Sequence, residues 1–359
     1  MLTTEVKKMD MRFLNEREEL VLRTIIDEYI DTSEPVGSRN VSKVGPLKMS
    51  PATIRNIMSD LVEKGFIAQP HTSSGRVPTD SGYRYYIEKF IKVQQISDDF
   101  IENIHREMSI DPVNVMNLFR HFSKKMGDMT HAVGFVVSPK MDTISLKHIE
   151  FIRINRETVL AVIVAKTGIV QNVLLPVDNT ITDSDLVRMS NFINSNYEGA
   201  SLHEVQHMLL QELKAARGEI RRLAEQAVKL SQAVVKSPVF DEEFIFEGTK
   251  NIIDTPELRQ SGKLSDVLQA FEEKSHICSL LESCMKEDSV QIFIGSEIGL
   301  DNTEELGMVI KPYHRGGNIV GTMGVIGPKR MKYSEVVSIV DYSSKIISKM
   351  LNDYYEGDK

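Results

Sequence analysis

SPATIRNIMSDLVEKGFIAQPHTSSGRVPT, residues 50–79, is the stretch that decides the fold of the N-terminal part of the chain. Ser50 can cap a helix, and Pro51 suits its first position, where the missing N–H costs nothing. One apolar face follows at helical spacing, formed by Ile54, Ile57, Met58 and Leu61. Gly65 ends this predicted helix, a short strand follows at residues 66–69, and the remaining polar residues predict a turn.

The residues around this stretch predict further helices. Asn15 can cap a first helix, with Glu18 completing a capping box, and apolar residues then recur at helical spacing. Ser38 can cap a short second helix, and another helix is predicted over residues 81–93. Three helices, a strand and a polar hairpin loop are the order of a winged helix-turn-helix. We assign it, with its linker helix, to residues 1–92.

The polar face of the third predicted helix carries side chains that suit base recognition. Small residues let a helix approach base edges, and arginine and asparagine make bidentate contacts to guanine and adenine in the major groove. The N-terminal half of a recognition helix meets the bases. The candidate DNA-contacting residues on this face are Ala52, Thr53, Arg55, Asn56 and Ser59.

The loop after the predicted strand supplies a second candidate contact. It offers hydroxyl groups, a glycine for close approach and one arginine, which suit phosphate contacts or insertion into a narrow minor groove. The candidates in this loop are His71, Thr72, Ser73, Gly75 and Arg76.

Charge is distributed unevenly. The net charge of −8 argues against a protein that coats nucleic acid with its whole surface, so nucleic-acid contact requires a local basic patch. Residues 36–89 hold eight Lys/Arg and four Asp/Glu, a net +4, whereas residues 1–35 hold five and nine, a net −4. The basic half contains the predicted recognition helix and loop. A winged helix used for protein contacts, with its charges solvated, is the alternative.

From residue 132 the sequence becomes rich in strand patterns. The first group of predicted strands is AVGFVVS, LKHIEFIRI, TVLAVIVA and IVQNVLLPV. A second group follows later in the chain: VQIFIG, LGMVIKPY and NIVGTMGVIG. Gly316-Gly317 is the predicted hairpin turn between the last two. A helix over residues 334–351 closes the chain. These blocks predict one α+β domain, residues 93–200 and 287–359, with residues 201–286 as a helical insertion.

Residues 203–207 read HEVQH, which matches the zinc-peptidase signature H-E-x-x-H. A catalytic zinc needs a third protein ligand. Glu225 is the candidate, but on an unbroken helix it lies about 27 Å from His207 along the axis. We therefore expect two exposed histidines, no bound metal, no cofactor and no enzyme activity. A zinc peptidase is the alternative.

The same helical stretch carries an apolar seam. Apolar residues recur in a 3-4 pattern over residues 213–234, which is typical of helices that pair with partner helices. The seam predicts a subunit interface within residues 201–286. Packing against residues 250–286 of the same chain is the alternative.

Other sequence features bear on location. Cys278 and Cys284 form neither a C-x-x-C pair nor a zinc quartet, which fits a reducing compartment. The first residues lack the apolar core of a signal peptide, and the longest apolar run, residues 159–165, is too short to cross a bilayer. We expect a cytoplasmic protein with no membrane partner.

Three stretches resemble the heat-inducible transcription repressor HrcA family: EPVGSRNVSK (34–43), residues 50–87 and GGNIVGTMGVIGPKRMKYSEVVSIVDY (316–342). The likeness spans nearly the whole chain. It implies an α+β protein with a DNA-binding winged helix, a GAF-like domain and an inserted domain that dimerises. It also implies a homodimer on double-stranded DNA at an inverted-repeat operator, the CIRCE element, before chaperone operons of the dnaK and groE type. Relief on heat stress and modulation by the GroE chaperonin are implied as well.

The family pattern matches this chain at Ser38, Arg39, Ser50, Thr53, Arg55, Asn56, His71, Thr72, Ser73, Gly75 and Arg76. The resemblance thus adds Ser38, Arg39 and Ser50 to the predicted DNA-binding residues. The chain departs from the commoner form at Ile57, which belongs to the apolar face, and at Ser74, a loop position. Neither change threatens the fold.

A ligand-sensing regulator, whose GAF-like domain takes a metabolite, is a further alternative. Against it, the β-rich region shows no glycine-rich phosphate loop, nucleophile elbow or paired acids. Its evenly spaced glycines, Gly321, Gly324 and Gly327, are interpreted as turn and packing glycines.

Overall fold

The structure is a computed structural model that describes most of the chain. The described residues are 14–44, 49–71, 74–91, 102, 115–138, 145–166, 170–177, 180–215, 225, 227–232, 234, 244–253, 284, 287–299 and 303–356. Within them the protein is a mixed α+β fold. The elements are α1 (Glu16–Thr32), α2 (Ser38–Val44), α3 (Pro51–Glu63), β1 (Ile67–Ala68), β2 (Val77–Pro78), α4 (Asp80–Phe90), α5 (Val115–Thr130), β3 (Val133–Val137), β4 (Leu146–Arg153), β5 (Thr158–Ala165), β6 (Val170–Pro176), α6 (Asp183–Tyr197), α7 (Leu202–Ala215), β7 (Phe244–Glu247), α8 (Thr249–Ile253), β8 (Gln291–Ile294), a 3-10 turn (Gly295–Ile298), β9 (Leu306–Arg315), β10 (Asn318–Pro328) and α9 (Tyr333–Glu356).

The N-terminal elements follow the order expected from sequence. Asn15 caps α1 by accepting from the backbone N–H groups of Arg17 and Glu18, while the Glu18 carboxylate accepts from the Asn15 N–H at 2.9 Å. Ser50 caps α3 by accepting from the Thr53 N–H at 3.2 Å. These caps satisfy orphan amides at the helix starts and confirm both predicted helix starts.

The apolar face of α3 is buried as predicted. Its four apolar side chains lie in a core with those of α1, α2 and α4; the residues of α3 are Ile54, Ile57, Met58 and Leu61. Gly65 follows the helix with a φ of +82°, a conformation that strains any residue with a Cβ. The short ribbon of β1 and β2 is antiparallel, with Ile67 opposite Pro78.

A five-stranded antiparallel sheet forms the C-terminal body, in the order β7-β3-β10-β9-β8. Helices α5 and α9 pack on it. The β9–β10 hairpin turns at Gly316 and Gly317, with φ values of +57° and +82°, as predicted. A Cβ at Gly324 would lie 2.1 Å from the Val309 carbonyl oxygen, and one at Gly321 would lie 2.3 Å from the Tyr313 hydroxyl, so these are packing glycines.

A separate three-stranded antiparallel sheet, in the order β4-β5-β6, lies between β3 and β7 in the chain. The sequence predicts one α+β domain for these strands and the C-terminal strands, and the structure places the two groups in separate sheets. Strands β3 and β7 pair directly, with Val136 opposite Ile245, so the chain between them is an insertion. Alternating apolar residues predict strands but do not identify the sheet in which each strand pairs.

Helix α6 packs against strand β4 of the three-stranded sheet. The Asn194 side chain accepts from the Ile149 N–H at 2.8 Å, and the Ser190 hydroxyl accepts from the Phe151 N–H at 3.0 Å. These side chains accept hydrogen bonds from backbone amides of β4 that do not pair with β5. The sheet and α6 thus form one packed unit within the insertion.

Candidate nucleic-acid interface

Helix α3 presents a polar face to solvent. The residues predicted there are all exposed, and the apolar residues between them are buried; the exposed ones are Ala52, Thr53, Arg55, Asn56 and Ser59. Within the described part of the chain, the side chains of Arg55 and Asn56 make no hydrogen bond. They therefore extend from a fixed helix with their hydrogen-bonding groups available.

Hydroxyl groups at both ends of this face have local partners. The hydroxyls of Ser50 and Thr53 lie 2.9 Å apart, and the Ser59 hydroxyl donates to the Arg55 carbonyl oxygen at 3.1 Å. Because Ser50 also caps the helix, its oxygen has a structural task whether or not DNA is bound.

Helix α2 begins one residue earlier than predicted. Ser38 is its first residue, and the carbonyl of Gly37 accepts from Asn40 and Val41 at 2.9 and 3.2 Å. Ser38 is half-buried and Arg39 is exposed. Helix α2 packs against α3, and Arg39 lies on the exposed side of α2.

The hairpin between β1 and β2 is joined to the segment before α2. Val36 and Arg76 exchange two backbone hydrogen bonds, each 2.9 Å long. Residues Thr72 and Ser73 of the predicted interface lie outside the described residues. His71 is exposed at the start of this gap.

Ser74 has a larger part in this hairpin than sequence indicated. Its hydroxyl donates to the His71 carbonyl at 2.7 Å and accepts from the His71 N–H at 3.0 Å, and its own N–H donates to the same carbonyl at 2.9 Å. A serine side chain that bonds to nearby backbone stabilises a tight turn. Ser74 therefore shapes the hairpin that carries Arg76.

Gly75 is required by packing inside the protein. A Cβ at this position would lie 2.5 Å from the carbonyl carbon and oxygen of Pro35 and 2.6 Å from the Val36 carbonyl carbon. The sequence alone predicts that this glycine permits close approach of a ligand. In the structure, Gly75 instead lies close to the backbone of Pro35 and Val36, before α2.

Arg76 is half-buried rather than extended into solvent. Its Nη1 donates weakly to the Ser74 carbonyl at 3.5 Å, and its Nε is buried with no hydrogen-bond partner among the described residues. A buried donor without an acceptor is costly.

A partly buried ion pair fixes α3 to α1, and the sequence did not predict it. Lys64 Nζ, at the end of α3, lies 2.7 Å from both carboxylate oxygens of Glu18, whose side chain is only 6% exposed. Burial alone would raise the pKa of Glu18, but the bonds from Lys64 and from the Asn15 amide outweigh it and lower this pKa. The carboxylate that completes the cap of α1 thus also holds the recognition candidate in place.

Comparison with known proteins assigns the chain to a family. The family model for the HrcA protein C terminal domain matches residues 116–337. The heat-inducible transcription repressor HrcA of Geobacter sulfurreducens is 37% identical over 341 residues, covering 95% of this chain and 99% of the relative. The protein of the same name from Methylobacillus flagellatus is 36% identical over 342 residues, covering 95% and 99%. The chain belongs to the heat-inducible transcription repressor HrcA family.

One solved structure supports the fold of this HrcA family member. A crystal structure of a hypothetical protein at 2.2 Å resolution matches with a TM-score of 0.67 and 22% identity, covering 95% of this chain and all of that one. The likeness shows a shared fold along nearly the whole chain. Among the described residues, no helix has the length and apolar character of a membrane span.

HrcA relatives are named as transcription repressors, which is not an enzymatic role, and the prediction that the chain is not an enzyme is confirmed. The HEVQH motif has another explanation. Glu204 accepts from the Ser201 N–H at 2.7 Å, and the Ser201 hydroxyl accepts from the Glu204 N–H at 3.2 Å, so the acid closes a capping box. His207 is exposed beside Gln211. The described residues contain no cluster of His, Cys, Asp or Glu suited to a metal.

Proposed function

We propose that this chain is a cytoplasmic, homodimeric repressor that binds an inverted-repeat operator, the CIRCE element, before chaperone operons of the dnaK and groE type and releases it on heat stress. The observation that carries the proposal is the exposed polar face of α3, which a partly buried ion pair holds to α1, in a member of a repressor family. Modulation by the GroE chaperonin is also part of the proposal, and it rests on the family resemblance alone.

In this proposal α3 is the recognition helix of a winged helix and the β1–β2 hairpin is the wing. Arg55 and Asn56 read base edges in the major groove, because bidentate contacts from these residue types distinguish guanine and adenine. Ala52 and Thr53 lie on the same exposed face near its N-terminal end and permit close approach. Ser59 lies one turn after Arg55 and extends this surface.

The remaining candidates position the protein on the DNA backbone. Arg76, half-buried on the wing, contacts a phosphate with the exposed part of its guanidinium. Ser38, Arg39 and Ser50 flank α3 and contact phosphates, as do His71, Thr72 and Ser73 of the wing. Gly75 contributes by allowing the wing to pack against Pro35 and Val36.

The proposed dimerisation unit is the insertion, extended to include the three-stranded sheet. Its uncovered face has apolar rows across the strands: Ile152 lies opposite Leu160, which lies opposite Leu174. Ile152 is 41% exposed and Leu174 65% exposed. Exposed apolar faces of this kind mark association surfaces. A second copy of the chain is the natural partner, since an inverted repeat requires two recognition helices related by a two-fold axis.

The apolar seam predicted over residues 213–234 is described only in part. Ala227, Leu230 and Val234 are buried, at 2%, 2% and 0% exposure, whereas the residues between 216 and 224 lie outside the described part of the chain. Burial within one chain favours the alternative of intramolecular packing for this part of the seam. We therefore propose that the sheet face, rather than this seam, contributes most to the dimer interface.

In this proposal the five-stranded sheet with α5 and α9 is the GAF-like domain, and a ligand-sensing role for it is a second candidate function. A cleft of about 440 Å³ lies between the end of α1, the end of α5 and the start of α9. His131, Arg330 and Lys332 line it together with apolar Met129 and Met331. Its volume falls within the roughly 300–1,000 Å³ of small-molecule sites. Operator affinity that changes with an added organic anion, and not in an Arg330→Ala variant, tests this candidate.

The primary test is selection of bound sequences from random double-stranded DNA, followed by footprinting of the selected duplex. Two half-sites in inverted orientation, protected in successive major grooves, are expected. The matched control is a variant with Arg55→Ala and Asn56→Ala, which leaves the apolar face of α3 intact. Selection of no sequence by the unsubstituted chain, or of the same sequence by the variant, contradicts the assignment of α3.

A further inference from the structure

We infer that Asp80 and Arg84 of α4 clamp the N-terminal unit onto the C-terminal body, and that this clamp sets the distance between the two half-sites that a dimer accepts. The inference rests on the proposed dimeric operator binding. It assigns a positioning role to residues that contact no DNA.

The first part of the clamp is Arg84. Its guanidinium forms a two-pronged ion pair with the Glu297 carboxylate, with Nε 3.0 Å from Oε1, and its Nη2 donates to the Ile292 carbonyl at 2.7 Å. The side chains of Arg84 and Glu297 are only 12% and 18% exposed. Bidentate, shielded pairs of this kind restrict orientation as well as distance.

The second part is Asp80, at the first turn of α4. Lys329 Nζ lies 2.8 Å from one carboxylate oxygen, and the Ser296 hydroxyl and N–H approach the other at 3.3 and 3.4 Å. Lys329 also donates to the Glu304 carbonyl at 2.7 Å, so the lysine is held on the body. Gly295 makes room for this contact, since a Cβ there would lie 2.5 Å from the carboxylate.

Buried aromatic rings complete the contact between α4 and the C-terminal body. Tyr83 and Tyr333 are each 1% exposed, and their ring centroids lie 6.3 Å apart. The Tyr333 hydroxyl donates to the Lys329 carbonyl at 2.8 Å. Ion pairs thus flank an apolar contact, and together they restrict rotation of α4 relative to the C-terminal body.

The clamp is connected rigidly to the recognition helix. Tyr85 donates to Glu19 at 2.6 Å and Tyr86 donates to Asp27 at 2.6 Å, which joins α4 to α1. The Glu18–Lys64 pair then joins α1 to the end of α3. A Cβ at Gly82 would lie 2.1 Å from the Phe66 carbonyl oxygen, so α4 also packs directly on the segment after α3.

Small rotations at the clamp are enough to change half-site spacing. Helix α3 has 13 residues and is therefore about 20 Å long. A rotation of about 10° displaces one end of a helix of this length by roughly 3.5 Å relative to its other end, close to the rise of about 3.4 Å between base pairs. A firm clamp thus predicts one preferred spacing, and a loosened clamp predicts several.

The test uses the full-length protein with Arg84→Met and Lys329→Met, which remove both ion pairs and retain side-chain bulk. The matched control carries Lys345→Met and Arg156→Met, two exposed cations away from α4 that change the net charge equally. Binding is measured on duplexes whose selected half-sites are moved apart or together by up to about two base pairs, and on a single half-site.

We expect the clamp variant to lose most of the preference for one spacing, by about tenfold, with half-site affinity within about twofold of the control. Hydrogen exchange at residues 291–298 should accelerate in the clamp variant and not in the control. An unchanged spacing preference, or unchanged exchange at residues 291–298, overturns the inference. If the unsubstituted protein shows no preferred spacing at all, the proposed dimeric operator function fails instead, and the exchange rates alone decide whether α4 is clamped.

Discussion

Arg55→Ala separates base reading from general attraction to DNA. Arg55 is exposed on α3, and its side chain makes no hydrogen bond within the described part of the chain. Arginine and alanine both favour helices, so the free energy of unfolding should change by less than about 0.5 kcal/mol. Any loss of operator binding therefore reports a contact to DNA rather than damage to the fold.

The expected loss follows from one bidentate base contact in each half-site. Such a contact contributes about 1–3 kcal/mol of discrimination, and a dimer makes it twice, so the operator complex should weaken by about 2–6 kcal/mol. That corresponds to roughly 30-fold to 10⁴-fold in Kd. Binding to scrambled DNA should fall much less, because there the variant loses one positive charge and no base contact.

Arg76→Ala gives the contrasting result. Its side chain lies half-buried on the proposed wing, where an interaction with phosphate is expected. Operator and scrambled DNA should weaken alike, and the slope of log K against log salt should fall by about 0.9 for each phosphate that the variant no longer neutralises. Arg156→Ala, an exposed arginine in the β4–β5 turn, controls for the change in net charge.

Fluorescence titration of each variant on both DNAs, at several salt concentrations, makes the comparison. The reasoning is refuted if Arg55→Ala weakens both DNAs equally while Arg76→Ala removes only the operator preference, since helix and hairpin would then have exchanged tasks. It is also refuted if both folded variants bind operator as the unsubstituted protein does.

Three further predictions follow from packing and charge. Gly75→Ala should destabilise the fold by about 1–3 kcal/mol in thermal unfolding, because its Cβ would overlap backbone, whereas Gly37→Ala, with open space around it, should cost less than about 1 kcal/mol; equal effects contradict this. Glu18→Gln should cost about 1–3 kcal/mol in urea unfolding near pH 7. Because folding lowers the pKa of Glu18, its charge stabilises above the unfolded value near 4.5, and the difference from the variant should vanish as pH falls through the folded value. Leu174→Glu should shift the protein toward monomer in sedimentation, while the similarly exposed Val187→Glu should not.

The local parts of the fold were predictable from sequence because their signals lie within a few residues of each other. The Asn15 and Ser50 caps, the apolar face of α3 and the Gly316-Gly317 turn each depend on spacing over at most one or two turns of chain. Burial of the face of α3 then followed, and with it the set of exposed candidates on the opposite side.

The partners of distant elements were not predictable in this way. The strands of residues 146–176 and those of residues 306–328 have the same alternating pattern, yet they form different sheets. The Glu18–Lys64 pair joins residues 46 positions apart, and only its capping half has a local signal. Gly75 was predictable as a residue needed for close approach, but its neighbour there, Pro35, was not.

Three acids of the acidic segment, residues 1–35, have a structural role. By charge alone it contrasts with the basic segment that follows, and acids near a DNA-binding surface would repel phosphate. In the structure Glu18, Glu19 and Asp27 instead accept hydrogen bonds from Lys64, Tyr85 and Tyr86. Those acids therefore bond to side chains of α3 and α4, and these contacts fix both helices to α1. The exposed side of α3 carries Arg55 and Asn56, so the acids of α1 stabilise the position of α3 while the face proposed to bind DNA keeps its positive charge.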